Sequence, residues 1–75
     1  MPSTYQSLIN LDDGRIVCLS YGVPVAAFVP GRGYVRTATR YSVTSSRHAN
    51  MFAGRESPQV TAEEFRAMVA PVRVP

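Results

Sequence analysis

Lysine and tryptophan are absent from this chain of 75 residues, and cysteine and histidine occur once each, as Cys18 and His48. A single cysteine excludes a disulfide within the chain. One cysteine and one histidine fall short of the four ligands of a structural zinc site. The sequence therefore predicts neither a metal nor a cofactor. Long apolar runs are also missing. The longest spans residues 23–30, far below the roughly 20 residues that a membrane helix needs. The first twenty residues contain Asp12 and Asp13 and no apolar stretch of the kind that marks a secretory leader. These absences, with an unpaired thiol suited to a reducing compartment, predict a cytoplasmic protein that does not engage a membrane.

Acidic residues are few: Asp12, Asp13, Glu56, Glu63 and Glu64 face eight arginines, for a net charge of +3. Arginine without lysine has a bland source, because arginine codons are GC-rich and lysine codons AT-rich. The chemical consequence stands either way: guanidinium groups pair bidentately with phosphate and carboxylate and stack on rings. Hydrophobic residues make up 45% and charged residues 17%, a balance that favours a folded domain over disorder. A single domain over residues 1–75 is expected. Its core is small, and a chain of this size is marginally stable alone. Pairing with a second copy as a homodimer would cover further apolar surface.

Residues 1–41 read as strands. The expected meander has four antiparallel strands at about 5–11, 15–21, 23–29 and 34–41. Asp13-Gly14 between alternating runs is a hairpin signal, since glycine takes positive φ freely. Tyr21-Gly22 and the 30–33 segment supply the next two turns. Strand 23–29 is apolar on both faces, and Pro24 within it must lie where no ladder bond is needed. Two short helices follow, at about 46–53 and 62–70. Thr44, Ser45 and Ser46 are candidate caps for the first, and Gly54 ends it. His48, Met51 and Phe52 share one side of that helix. Residues 55–58 read as a linker. Thr61 and Glu64 form a capping box for the second helix, with Val60 and Phe65 as a hydrophobic staple. The tail at 71–75 either frays or docks as a short strand. The class is α+β, with both helices on one sheet face.

A basic stretch is the most informative chemical feature. Five arginines and no acid lie between Arg32 and Arg55. On a strand, Arg32, Tyr34, Arg36 and Arg40 project to one side, and Arg47 follows nearby. Arginine interleaved with tyrosine suits phosphate contact and base stacking, and it suits a protein interface, where both are enriched. A plain solvated face is the third alternative. His48 lies near Ser45 and Ser46, but those hydroxyls serve as caps and no carboxylate is placed to orient the ring. No enzyme is expected. Tyr41, Thr44 and His48 instead suit a hydrogen-bonded joint between the last strand and the first helix, because buried polar groups must be paired. Cys18, among Ile16, Val17 and Leu19, reads as a small core residue.

The run Ser20-Tyr21-Gly22-Val23-Pro24-Val25-Ala26, followed by Tyr41-Ser42-Val43-Thr44-Ser45-Ser46-Arg47-His48-Ala49-Asn50, resembles a family of short uncharacterised proteins carried by bacteriophages, prophages and plasmids. That family has no settled activity, so no functional residue is carried over. The resemblance implies a mobile-element protein in a bacterial host. Such proteins block host factors by binding them, and anti-CRISPR proteins are a frequent case of this size. The implied partner is a bacterial host protein or protein–nucleic-acid complex, a CRISPR-Cas component among the candidates, held by Arg32, Tyr34, Arg36, Arg40 and Arg47 and blocked by occlusion. Nucleic acid bound directly by the same arginines is the alternative.

Overall fold

The computed structural model describes residues 6–74. The chain runs β1 (Gln6–Asn10), β2 (Ile16–Ser20), β3 (Val23–Val29), β4 (Gly33–Thr37), α1 (Val43–Ala53), β5 (Gln59–Val60) and α2 (Ala62–Val69). The α+β class and the antiparallel meander hold. The sheet has five strands rather than four, in the order β1-β2-β3-β4-β5, and β5 runs parallel to β4.

Turn chemistry sets the meander. Tyr21 and Gly22 both take positive φ, 53° and 81°. Positive φ at both central residues is the two-residue turn whose twist matches paired strands. Gly14 closes the first hairpin at φ 95°, and a Cβ there would meet Pro30 Cγ at 3.2 Å. Pro24 sits at a register shift: Cys18 pairs with Ala26, but Leu19 pairs with Pro24. The bulge leaves Val25 as the extra residue and accommodates a proline in a central strand.

The fourth strand ends at Thr37, four residues short of the expected 41. The Thr37 hydroxyl accepts a hydrogen bond from the Thr39 amide at 3.2 Å. Such local side-chain bonds compete with the ladder, and the chain leaves the sheet. Ser42, rather than Thr44, Ser45 or Ser46, then caps α1, accepting from the Ser45 amide at 3.0 Å. The helix accordingly begins three residues earlier than its sequence reading. Gly54 ends it as expected, its amide bonding to Asn50 O at 2.8 Å. The segment read as a linker leads directly into β5. The Arg36 amide bonds to Pro58 O and the Ala38 amide to Val60 O, both at 2.9 Å.

The two helices lie on opposite faces of the sheet, not on one. Val17, Ala27, Val35 and Val60 pack with Phe65 and Val69 of α2. Cys18, Val25 and Ala26 pack with Ala49 of α1, and Phe52 joins them. The two-sided apolar character of β3 is thus answered within one chain: Ala26 faces one helix and Ala27 the other. The Thr61–Glu64 capping box forms as predicted, with Glu64 also accepting from the Thr61 backbone amide. Val60 and Phe65 are both buried in the α2-side cluster. The tail makes no strand; Val72 and Val74 pack against that same cluster, and Pro75 lies outside the described residues. Among the described residues no helix is long and apolar enough to cross a membrane.

Candidate functional site

The α1 face of the sheet carries the residues singled out on the fourth strand, and the helix changes what they do. Register pairs Ala26 with Arg36 and Phe28 with Tyr34. Tyr34 packs on Phe28 at 5.0 Å between ring centroids and edge-on against Phe52 of α1 at 5.4 Å. Its ring is therefore partly spent on packing rather than offered for stacking. Arg36 is half-buried. Its Nε donates to Ser57 Oγ at 2.8 Å, Nη1 to Asn50 Oδ1 at 2.8 Å, and Nη2 to Arg55 O and Ser57 O at 2.8 and 2.7 Å. The guanidinium ties β4 to the end of α1 and to the segment beyond it. All its partners are neutral acceptors, so its positive charge is solvated but not cancelled.

The other predicted residues separate into two places. Arg32 lies in the β3–β4 turn, near Glu64 of α2, which it helps to keep ionised. Arg40 lies past the end of β4, and Arg47 on the outer side of α1; both are exposed. The single arginine–tyrosine strand face is thereby corrected. Only Tyr34 and Arg36 lie together on β4, and α1 covers that face in part, leaving Tyr34 46% exposed.

What the fold does assemble is a cleft between the 38–42 segment and α1, about 320 Å³ in volume. Arg36, Arg40, Tyr41, Ser46, Asn50 and Gln59 are among its lining, with no acidic residue. A second depression of about 370 Å³ adjoins it on the outer face of α1, lined by Val43, Ser46, Arg47, Asn50, Met51 and Arg55. Ser46 and Asn50 belong to both. Val43 is 72% exposed and Met51 71%. Met51 therefore faces solvent, not the core side shared by His48 and Phe52. Val43, Arg47 and Met51 follow each other at intervals of four, so they share a side of the helix. Met51, Asn50, Ser46, Arg55 and Val43 were missed as site residues. The four-residue spacing would have shown the stripe had the helix been started at Val43.

The polar joint exists with different members. Ser20 Oγ and His48 Nδ1 are 2.7 Å apart, Ser45 Oγ donates to Ser20 Oγ at 3.1 Å, and Ser42 Oγ donates to Ser45 Oγ at 3.1 Å. Ser20, Ser45 and His48 are buried, while Tyr41 and Thr44 are exposed. The chain of hydroxyls locks α1 onto β2 and leaves no buried side-chain polar atom unpaired among the described residues. Ser20 is fully buried, so its hydroxyl meets no substrate. Cys18 is buried as well, and loss of solvent raises its thiol above the ordinary value. Among the described residues no three His, Cys, Asp or Glu side chains cluster where they would hold a metal.

A five-stranded sheet with one helix on each face, bearing a basic cleft and a mixed arginine–apolar helix surface, describes a small α+β domain. The chain belongs to DUF8033, a family of unknown function, whose model matches residues 3–67. No curated protein and no solved structure matches it significantly.

Proposed function

We propose that this chain is a small non-enzymatic accessory protein, of the kind carried by bacteriophages and prophages, that binds a bacterial host protein and blocks it by occlusion. The contact surface is the outer face of α1 rather than β4. One observation carries the reading. Val43 and Met51 are each more than 70% exposed on a helix face that also presents Arg47, with Arg55 beside it. The domain's own packing does not use these two apolar side chains. Methionine fits irregular partner surfaces, and arginine is enriched among residues that dominate interface energies. The matching partner has an apolar groove rimmed by acidic groups. The absence of acids between Arg32 and Arg55 would speed association and set register on it.

Capture from bacterial lysate by the wild type and by a Val43→Glu/Met51→Glu variant tests this. A partner held at near-equal stoichiometry by the wild type, and lost by the variant with unchanged circular dichroism, is expected. Capture that the variant retains removes α1 as the contact surface. Direct binding to short DNA or RNA that falls steeply with salt, and falls again on Arg47→Ala/Arg55→Ala, would establish the nucleic-acid alternative instead. The proposal extends to self-association. Among the described residues β1 is one of the two edge strands of the sheet, and Gln6–Asn10 carries no charge and no proline, the usual guards of an open edge.

A further inference from the structure

We propose that the cleft between the 38–42 segment and α1 is a binding site for a phosphate monoester on a small molecule, such as a nucleoside monophosphate. The inference stands apart from the protein-partner reading, since it rests on the cleft and not on the exposed apolar stripe.

Charge is the first support. Arg36 is immobilised in the cleft wall by four neutral acceptor atoms, Ser57 Oγ and O, Asn50 Oδ1 and Arg55 O. It cannot swing out to meet a distant acid, and no acid lines the cleft. Its charge is a fixed part of the site. Arg40 lines the same cleft from a segment without regular structure, so it is free to close on an anion bidentately.

Donor chemistry is the second. The bond from Arg36 Nη1 to Asn50 Oδ1 settles which way the Asn50 amide points. Its oxygen faces the guanidinium, and its Nδ2 is left as a donor. Among the described residues no hydrogen bond occupies Asn50 Nδ2 or the Ser46 hydroxyl, and both residues line the cleft and are half-buried. A tetrahedral dianion takes several donors at once, and charge-assisted hydrogen bonds to it are the strong ones. A site that offers an amide N–H, a hydroxyl and two guanidinium charges, without a carboxylate, selects an oxyanion over a cation or a neutral ligand.

Size is the third. About 320 Å³ lies at the lower end of small-molecule sites, roughly 300–1,000 Å³. That accommodates a phosphate with a compact organic group. Tyr41 and Gln59 on the rim supply a ring face and an amide for that group.

The test is titration of the full chain with sodium phosphate, adenosine monophosphate and, at matched ionic strength, sodium chloride, followed by amide NMR. Saturable shifts confined to Thr39, Arg40, Ser46 and Asn50 are expected with both phosphates and not with chloride. Tighter binding of the nucleotide than of inorganic phosphate would show that the organic group is also held. Arg40→Ala is expected to weaken binding at least tenfold. Asn50→Asp keeps an acceptor oxygen for Arg36, and so the fold, but exchanges the free amide for a carboxylate; it is expected to abolish binding. Arg66→Ala, an exposed position on α2 across the sheet, should leave phosphate binding unchanged, which separates the cleft from a general attraction of anions to arginine. Shifts that do not saturate, that spread over all the arginines, or that persist in Asn50→Asp overturn the proposal. Tight binding of a short oligonucleotide with no saturable response to the mononucleotide overturns it too, in favour of a polymer ligand.

Discussion

Arg36 shows how far a residue's role depends on its neighbours. From sequence it is one of several arginines alternating along a strand. In the fold it spans three partners that lie 14 to 21 residues away: Asn50, Arg55 and Ser57. The planar fork of guanidinium reaches these acceptors at once, and an ammonium does not. Arg36→Lys is therefore expected to destabilise the domain by about 1–3 kcal/mol, the range for losing hydrogen bonds from a charged group to partners left unpaired, as read by urea denaturation. A change below about 0.5 kcal/mol would mean that the fork does not hold the end of α1. Cys18 gives the opposite lesson, since its buried apolar setting was legible from Ile16, Val17 and Leu19 alone. Its thiol is raised by burial, and the reactive thiolate is correspondingly scarce. Alkylation by iodoacetamide at neutral pH is expected to be negligible in the folded protein and rapid in urea. Prompt labelling of native protein would show that β2 opens readily.

At the scale of elements, local signals were reliable where the chemistry is local. The α2 capping box needs only residues 61–64, and it forms with Thr61 Oγ1 accepting from the Glu64 amide at 3.1 Å. Thr61→Ala is expected to cost about 1 kcal/mol, as is usual for a lost cap. The same box has a pH signature. The Thr61 backbone amide first, and its hydroxyl second, hold Glu64 below its ordinary value. A carboxylate lowered on folding stabilises the fold above its unfolded value and loses that contribution as pH falls through the folded one. The effect of Thr61→Ala should thus be full at pH 7 and shrink below the ordinary carboxylate range of about 4 to 4.5. An effect equal at pH 7 and pH 2.5 would leave the box without its carboxylate. The start of α1 was misplaced because three hydroxyl residues in a row are all competent caps. Ser42 won through a geometry that depends on where β4 ends.

For the whole molecule, the two helices divide the sheet between them, and the early end of β4 breaks up the strand face that the alternation of Arg32, Tyr34, Arg36 and Arg40 suggested. The basic character moves to the outer side of α1 and the adjoining cleft. Arg36, Arg40, Arg47 and Arg55 lie on the β4–α1 side, while β1, at the other edge, carries no arginine. Two copies paired antiparallel about Leu8 would set it against its own counterpart and Gln6 against Asn10, with the basic surfaces pointing outward. Leu8 is 51% exposed, so a partner strand would shield apolar area that is now wet. Equilibrium sedimentation is expected to show a dimer that Leu8→Lys converts to monomer without loss of fold. A monomer at high concentration in the wild type would leave the edge unpaired.

The antiparallel meander, the α2 cap, the buried cysteine and the wealth of arginine near the middle of the chain are all legible in the residue order alone. Each follows from residues close together in the chain: turn glycines, a four-residue box, alternating side chains. The placement of α1 and α2 on opposite faces, the parallel strand Gln59–Val60 at the sheet's edge, and the pairing of His48 with Ser20 rather than Tyr41 emerge only once the chain is packed. Those outcomes rest on pairings across tens of residues, where several registers satisfy the same local preferences. The choice among them falls to the packing that buries both faces of β3 at once while leaving the polar groups beneath α1 paired.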